Sequence, residues 1–140
     1  RGYAIIGERT KMINSDAYNY INVLNKAADA SWVRNEVIAN NIANVDTPGF
    51  KRSDVSFESY LQNALSGFGS LDQKVDNIDL TSIKPTVYTD LSQLSYRYDE
   101  NNVDIGTENA NLAENQIRYY SLLDSMTQEF SRLKTAMSVK

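Results

Sequence analysis

The sequence predicts a mainly α protein in which long N- and C-terminal helices pair as one coiled-coil-like unit, with an extended, partly β region between them. Three observations carry that fold class. Ile21, Leu24, Ala28, Ser31, Asn35, Ile38, Ile42 and Val45 recur at alternating spacings of three and four. Leu112, Gln116, Tyr119, Leu123, Met126, Phe130, Leu133 and Met137 repeat the pattern near the other end, with Ile105 and Asn109 extending it backwards. The two stretches would make helices of about 43 Å and about 48 Å at 1.5 Å per residue. Helices of matched length at opposite ends of one chain pair antiparallel, or fold back through a long connection.

Composition narrows the chemistry. At 140 residues the chain is one domain by length. Its net charge of −4, with both signs scattered, gives no basic footprint for nucleic acid. It has neither cysteine nor histidine, which removes disulfides, thiol nucleophiles, imidazole bases and ordinary zinc ligation. Asp and Glu remain as acid–base groups. Asp54 with Glu58, or Glu108 with Glu114, could be imagined as a glycosidase pair, but both lie at the spacing of solvated charges, without an apolar stretch nearby to raise a pKa. Neither a phosphate loop nor a calcium loop is present in the sequence. We therefore assign no catalytic, cofactor-binding or metal residue and expect no small-molecule substrate. No stretch approaches the roughly 20 apolar residues that span a bilayer. Ala4-Ile5-Ile6 is too short for the apolar region of a cleaved secretory signal.

In chain order, residues 1–15 read as an N-terminal extension, with Met12 a possible internal start. The N-terminal helix occupies 16–46, with Ser15 or Asp16 as N-cap. Tyr18, Tyr20, Val23, Trp32, Val33 and Val37 lie off its seam, so apolar groups appear on more than one face; Trp32 by itself reads as packed on the second helix. Asn44 can close the helix in the left-handed conformation, and Thr47-Pro48-Gly49-Phe50 has the make-up of a type II turn, with proline at the first corner and glycine at the second. Residues 47–103 form an extended arm from Lys51 through Val55 and Phe57, a short helix near Glu58–Leu65, a Gly/Ser loop, a polar stretch with weak strands, and a β-hairpin over Gln93–Ile105. The C-terminal helix occupies 104–140. Within it, over Glu108–Val139, acidic Glu108 and Glu114 come early and basic Arg132, Lys134 and Lys140 late, as the helix dipole favours.

Asn40, Asn41 and Asn44 are anomalous, since asparagine is a poor residue for the last turns of an apolar helix. Two readings stand. Their amides cap loose carbonyls at a frayed end, or they bond to neighbouring chains and fix register, as a polar residue does in a coiled-coil seam. On the second reading, alanine at Asn40 and Asn41 leaves helicity of the free chain unchanged or higher.

The run ANNIANVDTPGFKR, Ala39 to Arg52, resembles the N-terminal signature of bacterial flagellar axial proteins, the rod, hook and hook-associated subunits. There a helix runs into an (A/S)NN(I/L)AN…(T/N)…G(F/Y)K(R/A) corner. NNVDIGTENANLAENQIRYY resembles the approach to the terminal helix in rod members, with Gly106 a departure from the polar residues usual there. The DTPGFKR ending and the short chain are most similar to proximal rod subunits, with another rod paralogue as the alternative. The resemblance covers 20–56 and 103–137. It implies an axial domain of the D0 type and a structural role in the basal-body rod, in the periplasmic space. It also implies export through the flagellar type III apparatus without a cleaved signal peptide. The implied partners are other rod subunits, the rod-base adaptor and the export apparatus. The residues it places at subunit contacts or in the motif are Ile38, Asn40, Asn41, Ile42, Asn44, Thr47, Pro48, Gly49, Phe50 and Lys51. On the second helix they are Leu112, Gln116, Tyr119, Leu123, Met126, Phe130 and Leu133. A generic coiled-coil adaptor explains the heptads but leaves the corner unexplained, and a small lytic enzyme has almost no support in the residues.

Overall fold

The computed structural model describes residues 2–66, 69–92 and 97–138, with the side chains of the first helix described from residue 18 onward. Two long helices dominate it: α1 (Gly2–Ala43) and α4 (Ile105–Ser138). Between them come β1 (Ser53–Ser56), α2 (Glu58–Leu65), α3 (Leu71–Asp76) and β2 (Thr86–Thr89). The long helices run antiparallel. Asn41 meets Glu108, Asn35 meets Asn115, and the ring of Trp32 lies 6.1 Å from that of Tyr119, so one helix descends as the other climbs.

The N-terminal helix does not begin at Ser15 or Asp16 but runs through both from Gly2. A cap signal only permits a start, and each polar residue inside the helix costs only a few tenths of a kcal/mol, roughly. Its seam is as expected: Ile21, Ala28, Ser31 and Ile38 are buried, and Leu24, Asn35, Ile42 and Val45 are half-buried. Small Ala28 and Ser31 at its centre let α4 approach closely.

The seam on α4 is corrected. Leu133 is buried and Leu112, Tyr119 and Met126 are half-buried, but Gln116, Leu123, Phe130 and Met137 are exposed. The buried residues of α4 are Glu108, Asn115 and Leu133. The contact face is thus turned partly away from the apolar heptad toward Glu108 and Asn115, because those two find polar partners on α1 and on the segment that follows it. Trp32 stacks on the second helix as expected, yet stays half-exposed.

The middle region differs most from expectation. α2 lies where its pattern places it, but β1 pairs antiparallel with β2, Val55 opposite Val87 and Ser56 opposite Thr86. Most of the first strand of the expected hairpin falls on residues 93–96, outside the described residues, and Arg97 and Tyr98, where it would continue, are bend and turn. Its second strand is not formed: Val103 is in irregular chain and Ile105 opens α4. Asp104 is the reason, since its carboxylate accepts from the backbone N–H groups of Gly106 and Thr107 and caps the helix. α3 forms where the sequence predicts loop, started by a reciprocal capping box between Ser70 and Gln73. A small apolar cluster of Ala30, Phe57 and Ile83, flanked by Ala27, Leu61 and Ile78, fastens this region to α1.

Candidate functional site: the helix corner and its polar bracket

The end of α1 winds down without a left-handed residue. Among the described non-glycine residues only Glu100 has positive φ, so Asn44 does not close the helix in that way. Instead the last turn tightens through Val45 N–H to the Ile42 carbonyl and Thr47 N–H to the Asn44 carbonyl. The type II turn then forms as predicted. Gly49 has φ +72°, and Phe50 N–H donates to the Thr47 carbonyl at 3.2 Å. Thr47, Pro48 and Gly49 are exposed and Phe50 is half-buried.

The three asparagines separate. Asn44 takes the local reading: its amide donates to the Asn40 carbonyl and side-chain oxygen, and its own oxygen accepts from Thr47 Oγ1. Asn40 is exposed. Asn41 fits neither reading. It is fully buried within its own chain, donating to the Ser53 carbonyl at 2.8 Å, accepting from Ser53 N–H at 2.9 Å and donating to Glu108 at 3.2 Å. Its amide thus imitates a neighbouring strand for β1 and fixes the angle at which the chain leaves the corner.

Around Asn41 lies a network that the sequence does not announce. Arg52, the last residue of the corner motif, is buried; its Nε donates to Glu108 Oε1 at 2.6 Å, while its Nη groups face Asp90 and Asp54. Burial pulls the Arg52 pKa down, but the bond to Glu108 and the charges of Glu108, Asp54 and Asp90 outweigh it and raise the value. The Ser92 hydroxyl and backbone N–H, together with Arg52, hold the Asp90 carboxyl below its ordinary value. Asn101, also fully buried, donates to the carbonyls of Asn44, Val45 and Thr47, tying down the chain just past the end of α1. Asn102 accepts from Arg52 N–H and donates to the Asp90 carbonyl. Gly49 N–H donates to the Asp99 carbonyl, and Lys51 Nζ to that of Glu100.

Six residues from separate parts of the chain (Asn41, Arg52, Asp90, Asn101, Asn102 and Glu108) thus form one bracket. Of these, sequence reasoning singled out only Asn41 for the corner. From the sequence Glu108 reads as a dipole partner and Asn101-Asn102 fall within the expected β-hairpin; the one available signal is that an Asn-Asn pair occurs at both joints. Nearer the middle of the helices, Asn115 donates to the Ser31 carbonyl and to Asn35, and its oxygen finds no partner. Arg34 Nε lies 3.3 Å from Asp54 but is not aligned for a hydrogen bond. The bracket contains neither a nucleophile nor an acid–base pair in an apolar pocket; its chemistry is the holding of geometry. Among the described residues no three Asp or Glu side chains gather as a metal site, and no helix is long and apolar enough to cross a membrane.

Residues 21–51 match the family model described as flagella basal body rod protein. The chain is similar to the flagellar basal body rod protein FlgB of Bacillus subtilis, 34% identical over 116 residues, covering 82% of this chain and 90% of that protein. It is 38% identical over 118 residues to the FlgB of Borrelia hermsii, covering 74% and 78% of the two chains. It is 30% identical over 131 residues to that of Borreliella burgdorferi, covering 86% and 92%.

Proposed function

The chain belongs to the FlgB family of flagellar basal-body rod proteins, and from that premise we propose that it is a structural, non-enzymatic subunit of the proximal rod. The observation that carries this reading is the half of the α4 heptad that α1 leaves uncovered. Leu123, Phe130 and Met137 follow one another at heptad spacing and stand exposed, with Tyr120 beside them 68% exposed. A regularly spaced apolar row on a helix that already has one partner fits contact with further helices. Heterologous contacts repeated by a screw operation build an open tube. On this reading the partners are other rod subunits and the rod-base adaptor. On the same reading the chain reaches the periplasmic space through the flagellar export apparatus. The exposed Thr47-Pro48-Gly49 corner and Asn40 add polar contacts at one end, and Leu112, Gln116, Tyr119 and Met126 line the edge of the row.

The test is Phe130→Glu, with Gln128→Glu as a control on the same helix but off the row. Expressed in cells lacking the native protein, Phe130→Glu should leave a soluble subunit, abolish motility and give no recoverable basal bodies, while the control swims. Normal swimming by both variants would remove the row from the interface.

A further inference from the structure

We propose that the outer edge of β2 is a strand-docking site, which an extended segment of a neighbouring, non-identical rod component joins as a third strand. The proposal rests on the rod reading above and specifies one contact within it. The two edges of the small sheet are unequal. Ladder bonds fall on alternate residues of an antiparallel pair, and Asp90 N–H donates to the Arg52 carbonyl at 2.9 Å. Ser53 lies opposite Thr89 and Val55 opposite Val87, so these four residues turn their main-chain groups away from the ladder. On the β1 side all of those groups are taken up by side chains. Asn41 bonds both the N–H and the carbonyl of Ser53. Arg34 donates to the Val55 carbonyl at 2.7 Å, and the Asp54 carboxylate accepts from Val55 N–H at 2.7 Å.

The β2 side is open. Among the described residues no hydrogen bond reaches the outward N–H and carbonyl groups of Val87 and Thr89, and all four residues of the strand are exposed. Natural edges are guarded by charge, proline or a bulge. Here Lys84 and Pro85 guard only the approach, while Thr86-Val87-Tyr88-Thr89 carries no charge and has high strand propensity. Each outward residue offers one donor and one acceptor, the set that an extended segment satisfies by strand addition. A two-stranded ladder also gains stability from a third strand, and only this edge can take one. β1 and β2 are the only strands among the described residues, so a second copy has only its own β2 to offer. That pairing is isologous and closes on itself, whereas a tube grows through heterologous contacts. The occupant is therefore a segment of a different component, extended, and free of proline where it faces Val87 and Thr89.

Val87→Pro tests the edge, because it deletes one outward N–H and leaves the ladder bonds of the neighbouring residues in place. Val87→Thr keeps the N–H and serves as the control. In cells lacking the native protein, Val87→Pro should lower the recovery of rod-bearing basal bodies by about two- to tenfold, the worth of one hydrogen bond. The control should match the native chain. The photo-cross-linker p-benzoylphenylalanine placed at Tyr88, close in shape to the side chain it replaces, reads the neighbour in purified basal bodies whether or not the proline variant folds. Its adduct, sequenced by mass spectrometry, should map to one segment of a different basal-body component. An adduct to a second copy of the chain, or intact basal bodies without an adduct, would overturn the proposal. Recovery of Val87→Pro rods at the native level would overturn it as well. The rod reading survives each of these results as long as Phe130→Glu abolishes rods, so the two fail separately.

Discussion

The two ends of the helix pair are built on opposite principles. At the corner end the interior is polar: Asn41, Arg52, Asn101, Asn102 and Glu108 are buried, and each has partners within the chain. At the far end the surface is apolar: beyond Asn115 only Leu133 is buried on α4, while Ile117, Tyr120, Phe130 and Met137 stand exposed. A buried polar network that is fully paired specifies one geometry, because each alternative leaves a donor or a charge without a partner. An apolar row specifies only that something should cover it. The corner end therefore sets its shape alone, and the far end awaits company.

The contrast can be broken most forcefully at Glu108. Glu108→Ala leaves the buried Arg52 guanidinium without its most deeply buried partner and should lower the stability of the free chain by roughly 3 kcal/mol, measured by urea denaturation. Asn41→Ala comes next. It removes three hydrogen bonds to Ser53 and Glu108 and strands buried groups, at a cost of about 1–3 kcal/mol. Helicity that rose in this variant, as propensity requires and the intersubunit reading of Asn41 allows, would show that the bracket is not what holds the corner. Gly49→Val should cost about 1–2 kcal/mol, the penalty of a β-branched residue at positive φ. A Cβ at Gly49 meets nothing within 4 Å, so the chain should still fold. The smallest effect belongs to the far end. Phe130→Glu should change the stability of the free chain by no more than about 0.5 kcal/mol, as exposed substitutions do. A larger loss would mean that the apolar row already has a partner within the chain.

Much of the architecture was legible in the residues. Heptad spacing is local and cumulative, so both long helices and the seam of α1 could be read from it. Proline followed by glycine states its own dihedral angles, so the Thr47–Phe50 turn could be read as well. The same logic located α2. It failed where a decision depended on residues distant in the chain. No local pattern pairs β1 with β2 across α2 and α3, or tells Val103 that Asp104 will begin a helix rather than continue a strand. Nor could spacing reveal that α4 would present Glu108 and Asn115 to the interior in preference to Leu123 and Phe130. A polar side chain is stable inside only when its hydrogen-bond partners are already in place, and those partners are 56 residues away for Arg52 with Glu108 and 84 for Asn115 with the Ser31 carbonyl. The sequence by itself therefore determined the helices, the turn and the apolar row. The tertiary structure decided which face of α4 is inside, because that choice rests on pairing buried charges and amides rather than on hydrophobic periodicity.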